Sequence, residues 1–294
     1  MSDRSTRPSG GTRSAAQEAA RRAADAFGQC TRGLRVLPTF LIAGAQRCGT
    51  TSLFKALTQH PAVLGPVLRK GVHYFDVGHH RGLDWYRGHF PLAMRTRRRR
   101  GAPPAPVQVG ESSPYYLFHP LAAERIAREL PEVRVIVTLR DPVQRAYSAH
   151  VHERARGFET EPFERALELE QDRLAGTEER LRADPTAVSH SHRHHGYLAR
   201  GRYAEQLERL EKHLGRDRLY VVDSGDLFTD PEPVFAEVEL FLGLPHRPDI
   251  RFERHNARPR ADMDPALRAR LEEYFAPHDE RLAAWWGRTP SWRR

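Results

Sequence analysis

Residues 39–53 read Thr39-Phe40-Leu41-Ile42-Ala43-Gly44-Ala45-Gln46-Arg47-Cys48-Gly49-Thr50-Thr51-Ser52-Leu53. An apolar, strand-like run stops at Gly44, a short loop follows, and a helical pattern opens at Ser52 and runs to Gln59. A loop between a strand and a helix N-terminus binds anions, because unpaired N–H groups and the positive end of the helix dipole converge on one spot. The spacing Gly44-x4-Gly49 matches the nucleotide phosphate loop Gly-x4-Gly-Lys-Ser/Thr, but Thr50 stands where the lysine belongs. The expected ligand is a phosphate-like group, held outside the usual ATPase or GTPase arrangement. Arg47 is the loop's own cation. Gln46, Cys48, Thr51 and Ser52 line the same turn.

A second constellation is Leu139-Arg140-Asp141-Pro142-Val143-Gln144-Arg145-Ala146-Tyr147-Ser148. A buried strand ends there, Asp141 is suited to cap the next helix, and Pro142 fits its first turn. Ligands of open α/β sheets sit beyond the carboxyl ends of the strands, so Arg140 and Ser148 are placed to grip a second anion. A third segment, Lys70-Gly71-Val72-His73-Tyr74-Phe75-Asp76, offers a lysine for charge stabilisation and an imidazole for proton transfer. A fourth, Gly110-Glu111-Ser112-Ser113-Pro114-Tyr115-Tyr116, places a polar cluster after another strand. A fifth, Asn256-Ala257-Arg258-Pro259-Arg260, is a basic loop before the C-terminal helices.

The elements that must position these residues alternate. Strand-like runs occur at 40–43, 107–109, 133–139 and 219–222, and helical patterns at 52–59, 121–130, 142–154, 163–182, 203–214, 234–242 and 265–286. Such alternation predicts an α/β fold with a central, mostly parallel sheet flanked by helices on both faces. The chain has 294 residues, 39% of them hydrophobic, which suffices for a core. Its net charge is +9, of which residues 1–36 carry +4 and the five arginines of 95–100 the rest. The remainder is balanced, which argues against a broad nucleic-acid surface. Only three of the 47 basic residues are lysines, so any one arginine is weak evidence of chemistry. Two cysteines provide no disulfide framework and suit a reducing compartment. No apolar stretch is long enough to span a bilayer and no signal peptide is visible, so a cytoplasmic location is expected. Residues 1–36 read as a disordered basic tail, in which Ala15–Phe27 has the pattern of a short helix, and 37–294 as the working domain. Arg97–Pro106 reads as a surface loop.

From about Leu37 onward the chain resembles the sulfotransferases that use 3′-phosphoadenosine 5′-phosphosulfate (PAPS), in the branch of the heparan sulfate sulfotransferases and their bacterial relatives. Residues 44–53 resemble the loop for the 5′-phosphosulfate, and Arg140–Ser148 the 3′-phosphate element. Lys70–Asp76 resembles the family's Lys-Glu-Pro-His-Phe-Phe segment, and residues 82–91 the Gly-Leu-x-Trp-Tyr segment after it. Gly201-Arg202-Tyr203 resembles the Gly-x-Tyr of the nucleotide site. Residues 227–245, ending in Phe241-Leu242-Gly243-Leu244-Pro245, resemble a stretch common to the wider family. Arg258 falls where the family has a Lys-Gly-Arg loop closing over the donor, with Arg260 beside it.

The resemblance implies a nucleotide-kinase-like fold and sulfuryl transfer from PAPS to a hydroxyl or amine, on a carbohydrate or small metabolite, with no metal required. It implies donor contacts from Gly44, Gln46, Arg47, Cys48, Gly49, Thr50, Thr51, Ser52, Arg140, Ser148, Tyr203, Arg258 and Arg260. Arg47 takes the place of the family's lysine beside the leaving phosphate. Two positions depart from the pattern on the acceptor side. The family's acidic residue, its general base, is Gly71, and the lysine after the glutamate is Ser112. The replacement base is expected at His73, with Glu111 as the other candidate. A catalytically impaired nucleotide-binding relative and a phosphate-loop kinase are the rival readings. Cys48 is expected to be a small loop residue, and the histidines at 190, 192, 194 and 195 a solvated loop and no metal site.

Overall fold

A computed structural model describes residues 15–96, 106–253, 255 and 262–294. Five parallel strands form the centre: β1 (Phe40–Gly44), β2 (Val63–Leu64), β3 (Gln108–Ser112), β4 (Arg134–Leu139) and β5 (Leu219–Asp223), in the order β2-β3-β1-β4-β5. β1 is central because its residues are apolar without alternation: Phe40, Leu41, Ile42 and Ala43 are all fully buried. Leu41 and Ala43 face one core with Val135, Val137 and Ile126, whereas Phe40 and Ile42 face a second core with Leu53, Leu57 and Val238.

The helices are α1 (Ala15–Cys30), α2 (Thr50–Leu57), α3 (Leu83–Arg87), α4 (Ala93–Thr96), α5 (Ala122–Glu129), α6 (Pro142–Ala155), α7 (Phe163–Glu168), α8 (Glu170–Leu174), α9 (Thr177–Ala183), α10 (His190–His194), α11 (Tyr203–Leu214), α12 (Ser224–Thr229), α13 (Pro231–Leu242) and α14 (Pro265–Trp286). The α/β fold expected from the alternation is what forms. The carboxyl ends of β1, β3 and β4 lie side by side, so the segments that follow them converge.

Three expectations need correction. The tail over 1–36 is helical from Ala15, and it docks: Gln29 Nε2 donates to the Trp85 carbonyl at 3.1 Å, and Val36 N–H to the Pro91 carbonyl at 3.1 Å. Residues 1–14 lie outside the described residues, as do residues 97–105 of the predicted surface loop. The single helix expected over 163–182 is three, because the chain turns at Leu169 and again at Ala175, which leaves helical backbone before Gly176 enters the left-handed region. β2 was not expected, since two residues show no periodicity.

Candidate active site

The loop after β1 forms as its sequence predicts. Gly49 precedes α2 with φ of 88°, which glycine adopts without cost. The first helical bond runs from Leu53 N–H to the Gly49 carbonyl, so the amides of the first turn point outward without helical acceptors. Gln46 is clamped from both sides. Its Nε2 donates to Glu153 Oε1 at 3.0 Å, and its Oε1 accepts from Arg200 Nη1 at 2.7 Å. Cys48 is fully buried against Tyr203, and burial raises its thiol pKa, which suits a packing residue and not a nucleophile.

Two cations reach this loop. Lys70 Nζ donates to Thr51 Oγ1 at 3.0 Å and approaches Thr50 Oγ1 at 3.4 Å. The ammonium that the phosphate-loop pattern lacks at position 50 thus arrives from another segment. Burial lowers the Lys70 pKa to about 8, with Glu111 acting in the opposite sense. Arg47 Nε donates to Ser148 Oγ at 3.0 Å, which joins the two anion elements directly.

The second element is built around the start of α6. Asp141 Oδ1 caps the helix, accepting from Val143 N at 2.9 Å and Gln144 N at 3.4 Å. Tyr203 OH donates to the Arg140 carbonyl at 2.8 Å, which fixes the turn that carries the Arg140 side chain. One turn on, Arg145 is fully buried; it donates to the Tyr197 carbonyl, while its Nε and Nη1 have no hydrogen-bond partner. That charge lies close enough to Cys48 to act on its thiol and adds positive potential beneath the loop.

Residues 70–73 run beside the end of β3. Ser112 N donates to the Lys70 carbonyl at 3.0 Å, Val72 N to Glu111 Oε2 at 2.6 Å, and His73 N to Ser113 Oγ at 3.1 Å. This approach explains Gly71. A Cβ there would lie 2.3 Å from the Ser112 carbonyl oxygen and 2.8 Å from Ser113 Oγ. No glutamate fits on this backbone. Glu111 is fully buried and accepts from Val72 N, Tyr86 OH, Ser113 Oγ and Tyr116 OH, so its two oxygens are occupied by four donors.

His73 differs. A third of its side chain (34%) is exposed, and its Nδ1 lies 2.7 Å from Oδ2 of the buried Asp76, leaving Nε2 as the second ring nitrogen. Burial pulls the imidazole pKa down, but the charge and hydrogen bond of Asp76 and the charge of Glu111 outweigh it, so the pKa is raised. Among the described residues, Arg47 (φ 71°) and His73 (φ 58°) are the non-glycine residues with left-handed backbone. Strain of about 1–3 kcal/mol at each persists only where surroundings enforce it, and it concentrates at functional sites.

The structure thus brings Gly44, Gln46, Arg47, Cys48, Gly49, Thr50, Thr51, Ser148 and Lys70 together, with His73 and Glu111 tied to the same strand end. Ser52 faces a different neighbour, accepting from His255 N at 2.9 Å. Arg258 and Arg260 lie outside the described residues. Sequence reasoning did not assign Asp76, Arg145 or Arg200. Asp76 sits three residues after His73, and Arg200 directly precedes Gly201-Arg202-Tyr203, so each was adjacent to a motif already read. The histidine segment is α10, with His192 and His194 buried against Tyr115 and Glu153, and not a solvated loop. Among the described residues no group of three or more His, Cys, Asp or Glu could hold a metal ion, and no helix is long and apolar enough to cross a membrane.

The chain is similar to known proteins in sequence and in fold. The family profile described as the sulfotransferase domain matches residues 37–258. The crystal structure of a sulfotransferase from Alicyclobacillus acidocaldarius is 31% identical, with a TM-score of 0.64 over 88% of this chain and 100% of that one. The bifunctional heparan sulfate N-deacetylase/N-sulfotransferase 3 of Homo sapiens is 32% identical over 71% of this chain, and the membrane-associated sulfotransferase kil1 of Dictyostelium discoideum 25% over 85%. The match spans 23% of the former protein and 65% of the latter. The chain belongs to the sulfotransferase domain family.

Proposed function

We propose that the chain transfers a sulfuryl group from PAPS to a hydroxyl or amine acceptor, a carbohydrate or small metabolite. The observation that carries this reading is the meeting of two anion grips, with Arg47 on Ser148 and Lys70 on Thr51. A donor bearing a 5′-phosphosulfate and a 3′-phosphate needs two such grips on one sheet. In the bound complex the amides of residues 49–52, with Arg47 and Lys70, hold the phosphosulfate end, and Arg140 and Ser148 the 3′-phosphate.

The donor supplies an activated sulfur whose bond to the phosphate oxygen breaks as the acceptor oxygen or nitrogen bonds to it. Arg47 and Lys70 stabilise the charge developing on that phosphate oxygen. A preorganised donor of this kind contributes about 3–4 kcal/mol. His73 Nε2 takes the acceptor proton while Asp76 holds the ring and stabilises the imidazolium. Glu111 is left to fix Val72 and the two tyrosines. Arginine at 47 keeps the charge of the family's lysine with a different geometry.

Calorimetry with adenosine 3′,5′-bisphosphate should show binding, and its absence at high micromolar concentration would remove the donor site. Arg47→Ala should lower kcat by about 10²–10³. Arg140→Ala should weaken nucleotide binding by about ten- to a hundredfold. Equal effects of both substitutions on binding and turnover would contradict the division of roles.

A further inference from the structure

We propose that Glu153 and Arg200 are positioning residues for the transfer step: acting through the side-chain amide of Gln46, they hold the Arg47 guanidinium against the leaving phosphate of the bound donor. The proposal rests on the sulfuryl-transfer reading above. Gln46 is half-buried in the loop after β1, and its two amide atoms find opposite partners. Glu153 of α6 is fully buried. Burial would raise its carboxyl pKa, but the hydrogen bond and charge of His194 and the charge of Arg156 outweigh it, so the group is an ionised acceptor. Arg200 is 4% exposed and offers donors alone. Burial lowers its pKa to about 10, which leaves it charged at neutral pH. Gln46 donates from Nε2 to Glu153 Oε1 at 3.0 Å and accepts at Oε1 from Arg200 Nη1 at 2.7 Å. An amide meets both demands at once. A carboxylate at 46 would face Glu153 with like charge, and an ammonium would face Arg200.

Each jaw of this clamp is itself fixed. Glu153 Oε2 lies 3.0 Å from His194 Nδ1 and accepts from Arg156 Nη1 at 3.3 Å. Arg200 Nη2 donates to the carbonyls of His192 at 3.0 Å and Arg193 at 2.7 Å. Its guanidinium carbon lies 5.0 Å from the Tyr115 ring centroid and 4.9 Å from that of Phe118. Tyr115 follows Ser113, whose Oγ accepts from His73 N. Arg200 therefore ties the donor loop to the segment that holds His73.

Arg47 is the residue after Gln46. Its φ of 71° is strained for an arginine, and such backbone persists only where its surroundings hold it. On one flank Gln46 is clamped; on the other Cys48 is fully buried against Tyr203. The clamp fixes the peptide from which the Arg47 side chain departs toward Ser148 Oγ, 3.0 Å away. Release of Gln46 lets that backbone relax and carries the guanidinium off the phosphate. The amides of residues 49–52 lie beyond Cys48 and stay in place, so turnover falls while nucleotide affinity holds.

The test measures release of adenosine 3′,5′-bisphosphate from PAPS by the full chain in single turnover, with water or p-nitrophenol as acceptor, beside calorimetry with the bisphosphate. Arg200→Lys keeps the charge and loses the fork that reaches Gln46 and two carbonyls. It should lower the rate about 10- to 100-fold, with the bisphosphate Kd within about threefold of wild type. Gln46→Ala should do the same. Combined with each other or with Arg47→Ala, these changes should slow the enzyme no further, since all act through one group. Gln46→Glu should also be slow, and adding Glu153→Gln, which exchanges amide and carboxylate and restores both bonds, should recover about tenfold. Gel filtration and urea unfolding report folding, and Gln46→Ala, in a half-buried loop, decides the matter if Arg200→Lys does not fold. Full rate in Arg200→Lys or Gln46→Ala overturns the proposal, as do rate losses that multiply in the combined variants. Failure of the wild type to bind the bisphosphate, or to release it from PAPS, would remove the sulfuryl-transfer reading and the proposal with it.

Discussion

In the proposed reaction His73 and Lys70 would govern opposite limbs of the pH dependence. The His73 pKa is raised above its ordinary 6.5, because Asp76 and Glu111 together outweigh burial. The neutral imidazole needed to accept a proton therefore accumulates only above that value, and kcat/KM rises with pH there. Lys70, lowered to about 8 by burial, loses its charge as pH passes that value, and the rate falls. A bell-shaped profile should result. Lys70→Arg, which stays charged, should keep the acid limb and abolish the alkaline one. Asp76→Asn removes the charge that raises the imidazole, so its acid limb should move to lower pH with a reduced maximum. A Lys70→Arg profile that still falls near pH 8 would assign the alkaline limb to another group.

The segment 70–73 and the end of β3 act as one element, and Gly71 is the point of closest approach. Gly71→Ala should cost about 1–3 kcal/mol in urea unfolding, because the Cβ meets the Ser112 backbone carbonyl first and Ser113 Oγ next. Gly71→Glu should destabilise further, and should not restore turnover when combined with His73→Ala. Recovery of rate in that double variant would show that the segment can retreat to admit a carboxylate base. The reason for Gly71 was illegible in the sequence, since it depends on two segments forty residues apart meeting through space. β1, β4, α2 and the Asp141 cap were legible, because unbroken apolar runs and cap chemistry are local signals. The breaks at Leu169 and Ala175 and the two-residue β2 carry no such signal. The Arg200 clamp on Gln46 spans 154 residues and had no local trace.

Three cores hold the molecule together: two flank the sheet, and a third joins α6 and α7 to α14 through Val143, Phe163, Tyr197, Leu267 and Phe275. Polar fasteners tie the helices of 163–194 to this frame, and Glu159 is the densest. Its buried carboxylate accepts from Arg173, Tyr197 OH and the amides of Thr160 and Glu161. Burial alone would raise its pKa, but these donors lower it from 4.5 to about 2. A depressed carboxylate contributes stability that is complete above its unfolded value and lost as pH falls toward its folded one. The window therefore runs from about 4.5 down to about 2. Glu170 and Asp279 titrate the other way, since burial raises both, so the total acid curve mixes the two senses. Glu159→Gln isolates the fastener. It should lower the urea midpoint at neutral pH, and the gap from wild type should narrow as pH drops through that window. A gap of constant size down to about pH 2 would mean that the amide loses packing alone, and that charge at Glu159 does not hold the helices of 163–194 in place.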